Sequence, residues 1–166
     1  MSKRQVFFSF DYDNDVMRVS QIKQMGVIED GATLVSSNEW ETVRRYSKPA
    51  IEKWIDDNMQ YRSCVIVLIG SKTYNSEWVD YEIRKAWSEK KALFGIHIHN
   101  LNCPINGKTY QGINPFDYIK FSNGNALSSV IKTYNPTDTY MSSAYQNILN
   151  NLEGWIETAI SDANNR

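Results

Sequence analysis

Apolar and polar positions along the chain alternate between two textures. Val6-Phe7-Phe8-Ser9-Phe10 has the density of a short strand. Cys64-Val65-Ile66-Val67-Leu68-Ile69 is an unbroken apolar run closed by Gly70, the pattern of a strand covered on both faces that ends at a loop. Leu93-Phe94-Gly95-Ile96-His97-Ile98-His99 is a third, with Phe94, Ile96 and Ile98 on one face and His97 and His99 on the other. Ala32-Thr33-Leu34-Val35 is a weaker candidate. Between these runs the spacing turns helical. Val16, Val19 and Ile22 form one face, ended by Gly26. Ile51, Trp54, Ile55 and Met59 ladder along Ala50–Tyr61 behind Pro49, which marks a helix start. Trp78, Val79, Ile83, Ala86 and Trp87 fill half of a helix that begins near Trp78. A last helix of roughly twenty residues carries Tyr145, Ile148, Leu149, Leu152, Ile156, Ala159 and Ile160 as a continuous stripe. Ser36–Glu41 has the form of a loop ending in a capped turn. Residues 119–140 are ambiguous, with Val130-Ile131 a candidate strand and Asn135-Pro136-Thr137-Asp138 a turn.

Strands alternating with helices predict an α/β domain: an open parallel sheet with helices on both faces and a C-terminal helix. No repeat or linker interrupts it, so residues 1–166 are expected to be a single domain. In such sheets ligands sit outside the carboxyl ends of the strands. Those ends are Ser9–Asp13, Val35–Trp40, Gly70–Trp78 and His99 onward. One residue stands out there. On the helix within Ser71–Lys90, Asp80 and Arg84 fall on the polar half, but Glu82 falls inside the apolar arc between Trp78 and Ala86. A carboxylate placed so needs a partner or a task.

Composition narrows the classes. A hydrophobic share of 42% over 166 residues excludes a disordered chain and is enough for a real core. The net charge of −1 gives no support to wholesale nucleic-acid or membrane-surface binding. Two cysteines in unlike settings, Cys64 in the strand and Cys103 in a loop, and no long apolar stretch suggest a reducing, cytoplasmic setting.

Several chemistries fail. The first strand runs into Asp11-Tyr12-Asp13-Asn14-Asp15 where a phosphate loop would need glycines, and its carboxylates would repel a pyrophosphate. Ile69-Gly70-Ser71-Lys72 lacks the second glycine of a nucleophile elbow, and Gly70-Ser71 stands where a receiver domain needs an aspartate. The acidic cluster has two readings: Asp11 or Asp13 caps the helix with Asp15 in its first turn, or the cluster binds a cation. His97 and His99 either begin a metal site or are polar residues where a strand emerges toward a loop. Glu82 either pairs with Lys72 or Lys85 or stabilises the charge that builds on a ribose when an N-glycosidic bond breaks. Phe10, Tyr12 or Trp78 would offer faces to a flat base.

Val6-Phe7-Phe8-Ser9-Phe10 followed by Tyr12-Asp13, Val67-Leu68-Ile69-Gly70-Ser71-Lys72-Thr73-Tyr74-Asn75, and Trp78-Val79-Asp80-Tyr81-Glu82-Ile83 together resemble the TIR-like family. Gly95-Ile96-His97-Ile98 and Asn114-Pro115-Phe116-Asp117-Tyr118 narrow the resemblance to the ThsB proteins of bacterial Thoeris anti-phage defence. It covers roughly residues 3–121. The resemblance implies a flavodoxin-like TIR fold and cleavage of NAD, as substrate and not as recycled cofactor, with no metal. Glu82 takes the catalytic position. Phe8, Ser9, Phe10, Asp11, Trp40, Ser71, Trp78 and Asn114 are expected around the substrate, although some relatives carry histidine where Asp11 stands. It also implies an ADP-ribose-derived messenger, a cyclic isomer, made on infection with a phage component as trigger. That messenger would act on a separate effector of the ThsA type. A homo-oligomer is left open, and neither nucleic acid nor membrane is expected as partner. The alternative is a TIR-like sensing or scaffold module without catalysis.

Overall fold

The structure is a computed structural model that describes residues 4–28 and 41–166. The candidate strand Ala32–Val35, the loop 36–40 and Trp40 lie outside the described residues. The elements are β1 (Val6–Ser9), α1 (Tyr12–Lys23), α2 (Lys48–Met59), β2 (Cys64–Ile69), α3 (Glu77–Ser88), β3 (Ala92–His97), β4 (Thr133–Tyr134) and α4 (Ala144–Asn164). Among the described residues the strands form one sheet in the order β1-β2-β3-β4, every neighbour parallel. The sheet is the open parallel one expected.

Strand periodicity explains why two of these runs are apolar throughout. Successive side chains point to opposite faces, and both faces are covered. Val6, Phe8, Cys64, Ile66, Leu68, Phe94 and Ile96 meet Val19 and Ile22 of α1 and Ile148, Leu152 and Ile156 of α4. Phe7, Val65, Val67, Ile69 and Leu93 meet Ile51, Ile55 and Met59 of α2 and Val79, Ile83 and Ala86 of α3. The molecule is therefore three layers with two cores. By the same alternation Ser9, two residues on from Phe7, faces the α2–α3 side.

Helix ends follow local chemistry. Ser47 caps α2, its hydroxyl accepting from the Ala50 amide with Pro49 in the first turn, so this helix starts at Lys48 rather than at Ala50. Ser76 and Ser143 cap α3 and α4 in the same way, accepting from Val79 and Gln146. Gly26 takes a φ of 74° just beyond α1, the left-handed stop its position suggested. One expectation is corrected. The strand looked for at Val130-Ile131 lies at Thr133–Tyr134, because Ile131 is anchored in the core while Val130 is exposed. Asp11 stands at the cap position of α1, where the amides of Asp13 and Asn14 favour its charged carboxyl without completing a capping hydrogen bond; its backbone carbonyl receives the amides of Asn14 and Asp15. No described helix is long and apolar enough to cross a membrane.

Candidate active site

The parallel sheet brings the ends of β1 and β2 to one rim, and α3 lies against the face toward which Ser9 points. There the Ser9 hydroxyl donates to Oε1 of Glu82 at 2.7 Å. Glu82 is 8% exposed, with Val79, Ile83 and Ala86 of its own helix buried around it. Burial pushes its carboxyl up to about 8, and the Ser9 hydrogen bond pulls the other way without cancelling it. The ion-pair alternative fails for Lys85, which is held by Asp56 at 3.7 Å and Glu89 at 3.3 Å. Lys72 takes part in none of the ion pairs formed by the described residues; its charge acts on Asp11 instead. Glu82 is thus a buried acid whose one described polar contact is a neutral hydroxyl.

In front of Glu82 is an apolar pocket of about 150 Å³ whose walls include Phe8, Phe10, Asp11, Trp54 and Trp78. Phe10 and Tyr12 stack at 5.4 Å, and Trp78 meets Tyr81 edge-on at 6.1 Å. The Tyr81 hydroxyl donates to Asp56 at 2.8 Å, which turns that ring's polar end away from the aromatic cluster. Asp11 is half-buried and its carboxyl is held above the usual range, first by burial and then by the neighbouring Asp13. Of the residues proposed from sequence, Phe8, Phe10, Asp11, Trp78 and Glu82 therefore share one pocket, with Ser9 behind Glu82.

Three positions behave otherwise. Ser71 borders an adjoining, broader cleft of about 420 Å³ together with Asp11, Lys72, Tyr74, Asn75 and Tyr110. Asn114 is absent from both sets of walls: its side chain accepts from the Phe116 amide at 2.9 Å and donates to Thr133 at 3.2 Å, fixing the turn that leads to β4. That is a structural task, which the Asn-Pro turn pattern already contained. Trp40 lies outside the described residues. Sequence reasoning missed Trp54 and Ser76 as pocket walls. Trp54 sat in the α2 ladder, and periodicity does not separate a core aromatic from a pocket aromatic.

The buried member of the acidic cluster is structural. Asp15 is fully buried, 3.3 Å from the guanidinium of Arg18, and burial raises its carboxyl to about 6. Arg18 also donates to the carbonyls of Leu101 at 3.1 Å and Gly107 at 2.8 Å, so it fastens α1 to the loop after β3. A Cβ at Gly70 would come within 2.0 Å of the Asp15 carboxylate, so glycine is required there. His97 and His99 stand where β3 passes into the loop after it, and both are buried, with rings edge-on at 5.9 Å. Burial pushes His97 down to about 4, leaving it neutral. Among the described residues no three His, Cys, Asp or Glu side chains are grouped to hold a metal ion.

With this geometry in view, the sequence comparisons are specific. The family model for the TIR-like domain of the Thoeris protein ThsB matches residues 7–103, a span that holds Ser9 at the end of β1, Ser76, Trp78 and Glu82. A protein of Bacillus cereus (strain MSX-D12), named provisionally as cyclic ADP-D-ribose synthase ThsB1, is 34% identical over 125 residues. The match covers 73% of this chain and 65% of that relative, so the chain spans slightly less than two thirds of the relative's length.

Proposed function

The chain belongs to the TIR-like family of Thoeris ThsB proteins, and from that premise we propose that it cleaves NAD to make an ADP-ribose-derived signal. The observation that carries the proposal is the buried Glu82, hydrogen-bonded to Ser9 and facing a pocket walled by Phe8, Phe10, Trp54 and Trp78. The relative's name supports the class of product, a cyclic ADP-ribose.

The pocket suits the nicotinamide riboside end of NAD. Aromatic walls take the flat, positively charged ring, which favours π faces. In the empty pocket Glu82 holds a proton near neutral pH, because burial disfavours its charge. A cationic ring brought beside it reverses that preference and leaves a carboxylate at the ribose. The bond from the ribose C1′ to the ring nitrogen then breaks, and its electron pair leaves with neutral nicotinamide. The positive charge left on the ribose faces Glu82, a preplaced anion in a low-dielectric site. A hydroxyl or ring nitrogen of the same molecule adds to C1′ and loses its proton, giving a cyclic product; water in that place gives ADP-ribose. Ser9 acts through Glu82, positioning it with the 2.7 Å hydrogen bond. The product acts on a partner effector of the ThsA type after phage infection, and the chain works without a bound cofactor.

The test is to incubate the purified protein with NAD and assay free nicotinamide. The wild-type protein releases it and Glu82→Gln, which keeps the size but not the charge, does not. Equal release by the two proteins would remove Glu82 from the reaction.

A further inference from the structure

Resting on that reading of the pocket, we infer that the adjoining cleft lined by Ser71, Lys72, Tyr74, Asn75 and Tyr110 holds the diphosphate–adenosine half of the dinucleotide, with Lys72 on the diphosphate. Three observations carry this. The first is size: the aromatic pocket, at about 150 Å³, is below the roughly 300–1,000 Å³ range of whole-ligand sites and takes one ring and its ribose, not a dinucleotide. The ligand must leave it. The second is continuity: Asp11 and Ser76 line both the pocket and the cleft of about 420 Å³, so the two open into each other at β1's end and the start of α3.

The third observation is charge. The described walls of the pocket carry Asp11, Asp13 and the buried Glu82 and no lysine or arginine, so nothing there pairs with phosphate. On the cleft side the one lysine among the described walls is Lys72, exposed and in none of the described ion pairs. The substrate's polarity is therefore fixed: nicotinamide toward Glu82, diphosphate toward Lys72. Asp11, at the junction, is placed to accept ribose hydroxyls. Ser71 and Asn75 supply further polar groups, and the exposed rings of Tyr74 and Tyr110 offer stacking faces for adenine.

Calorimetric titration with ADP, which carries this half and no nicotinamide, tests the assignment without any turnover. Wild-type protein and Glu82→Gln bind ADP alike, and Lys72→Gln binds it roughly tenfold or more weakly, the loss expected for one charge-assisted phosphate contact. Tyr110→Ala weakens ADP but not inorganic pyrophosphate. Lys72 is exposed, so an unchanged melting temperature accompanies the loss. ADP binding that is absent, or indifferent to Lys72, overturns the inference. Failure of the reading it rests on looks different: ADP binds in a Lys72-dependent way, yet activated wild-type protein releases no nicotinamide from NAD.

Discussion

At the scale of single residues the proposed function turns on the ionisation of Glu82. Its carboxyl is raised to about 8 in the free protein, and the proposed reaction needs it charged. The pH profile of kcat/KM, which reports the free enzyme, should therefore rise through about 8 and level off above it. Ser9→Ala removes the hydrogen bond that lowers this value, so the rise should move to still higher pH with kcat/KM reduced at neutrality. A profile flat from pH 6 to 9, about the range that brackets this group, would contradict the assignment. The same shift has a cost in stability. In the unfolded chain Glu82 titrates near its ordinary 4.5, so between 4.5 and about 8 the native state holds a proton that the unfolded state has lost. Its contribution to stability thus falls as pH rises across that window. Glu82→Gln should raise the melting temperature, and raise it more at pH 8 than at pH 5, with a free-energy gain on the order of a few kcal/mol at the upper end. A gain that is the same at both pH values would mean that Glu82 is not buried in its charged form.

Elements are held in place by one arginine more than by any helix cap. Arg18 joins α1 to the carbonyls of Leu101 and Gly107 and is the counter-charge for the fully buried Asp15. Replacing it by methionine leaves Asp15 uncompensated and should cost on the order of 3–5 kcal/mol in urea unfolding. Arg84→Met, which breaks an exposed pair with Asp80, should cost about 1 kcal/mol or less. Gly70→Ala should destabilise because its Cβ would collide with Asp15, and combining it with Asp15→Ala should recover part of the loss. None of this was legible locally. Asp15 looked like a first-turn acid complementing the α1 dipole, because Arg18's carbonyl partners lie more than eighty residues away in sequence. β4 was missed for a related reason. The β-branched pair Val130-Ile131 drew the reading, whereas the two-residue strand is set by tertiary pairing to Gly95 and Ile96. A side chain at Gly95 would itself press on Phe116 and Thr133. By contrast β2 was readable to the residue, since a run buried on both faces is a strong local signal, and the start of α3 was readable to within one residue.

For the whole molecule, the layered fold was legible because each strand divides its side chains between two cores and each helix presents one apolar face. The rim followed from topology, and that is how Ser9 and Glu82, 73 residues apart, came to be expected together. Beyond the family match the chain is equally well tied in. Tyr134 stacks on Trp155 of α4 at 4.3 Å, Arg4 grips Glu157 through two hydrogen bonds, and the Arg166 guanidinium lies 4.7 Å above the Trp87 ring. A turn-capping amide and a substrate-binding amide look alike in one sequence, and Asn114 here holds Phe116 and Thr133. The proposal that this chain is a signal-producing enzyme is tested most directly by mass spectrometry of small molecules from bacteria carrying it, before and during phage infection. With the wild-type protein NAD should fall and a product lighter than ADP-ribose by one water should appear, and with Glu82→Gln neither should occur. Defence that persists in the Glu82→Gln strain with no change in NAD would contradict the enzyme and point to a TIR-like module that senses or scaffolds.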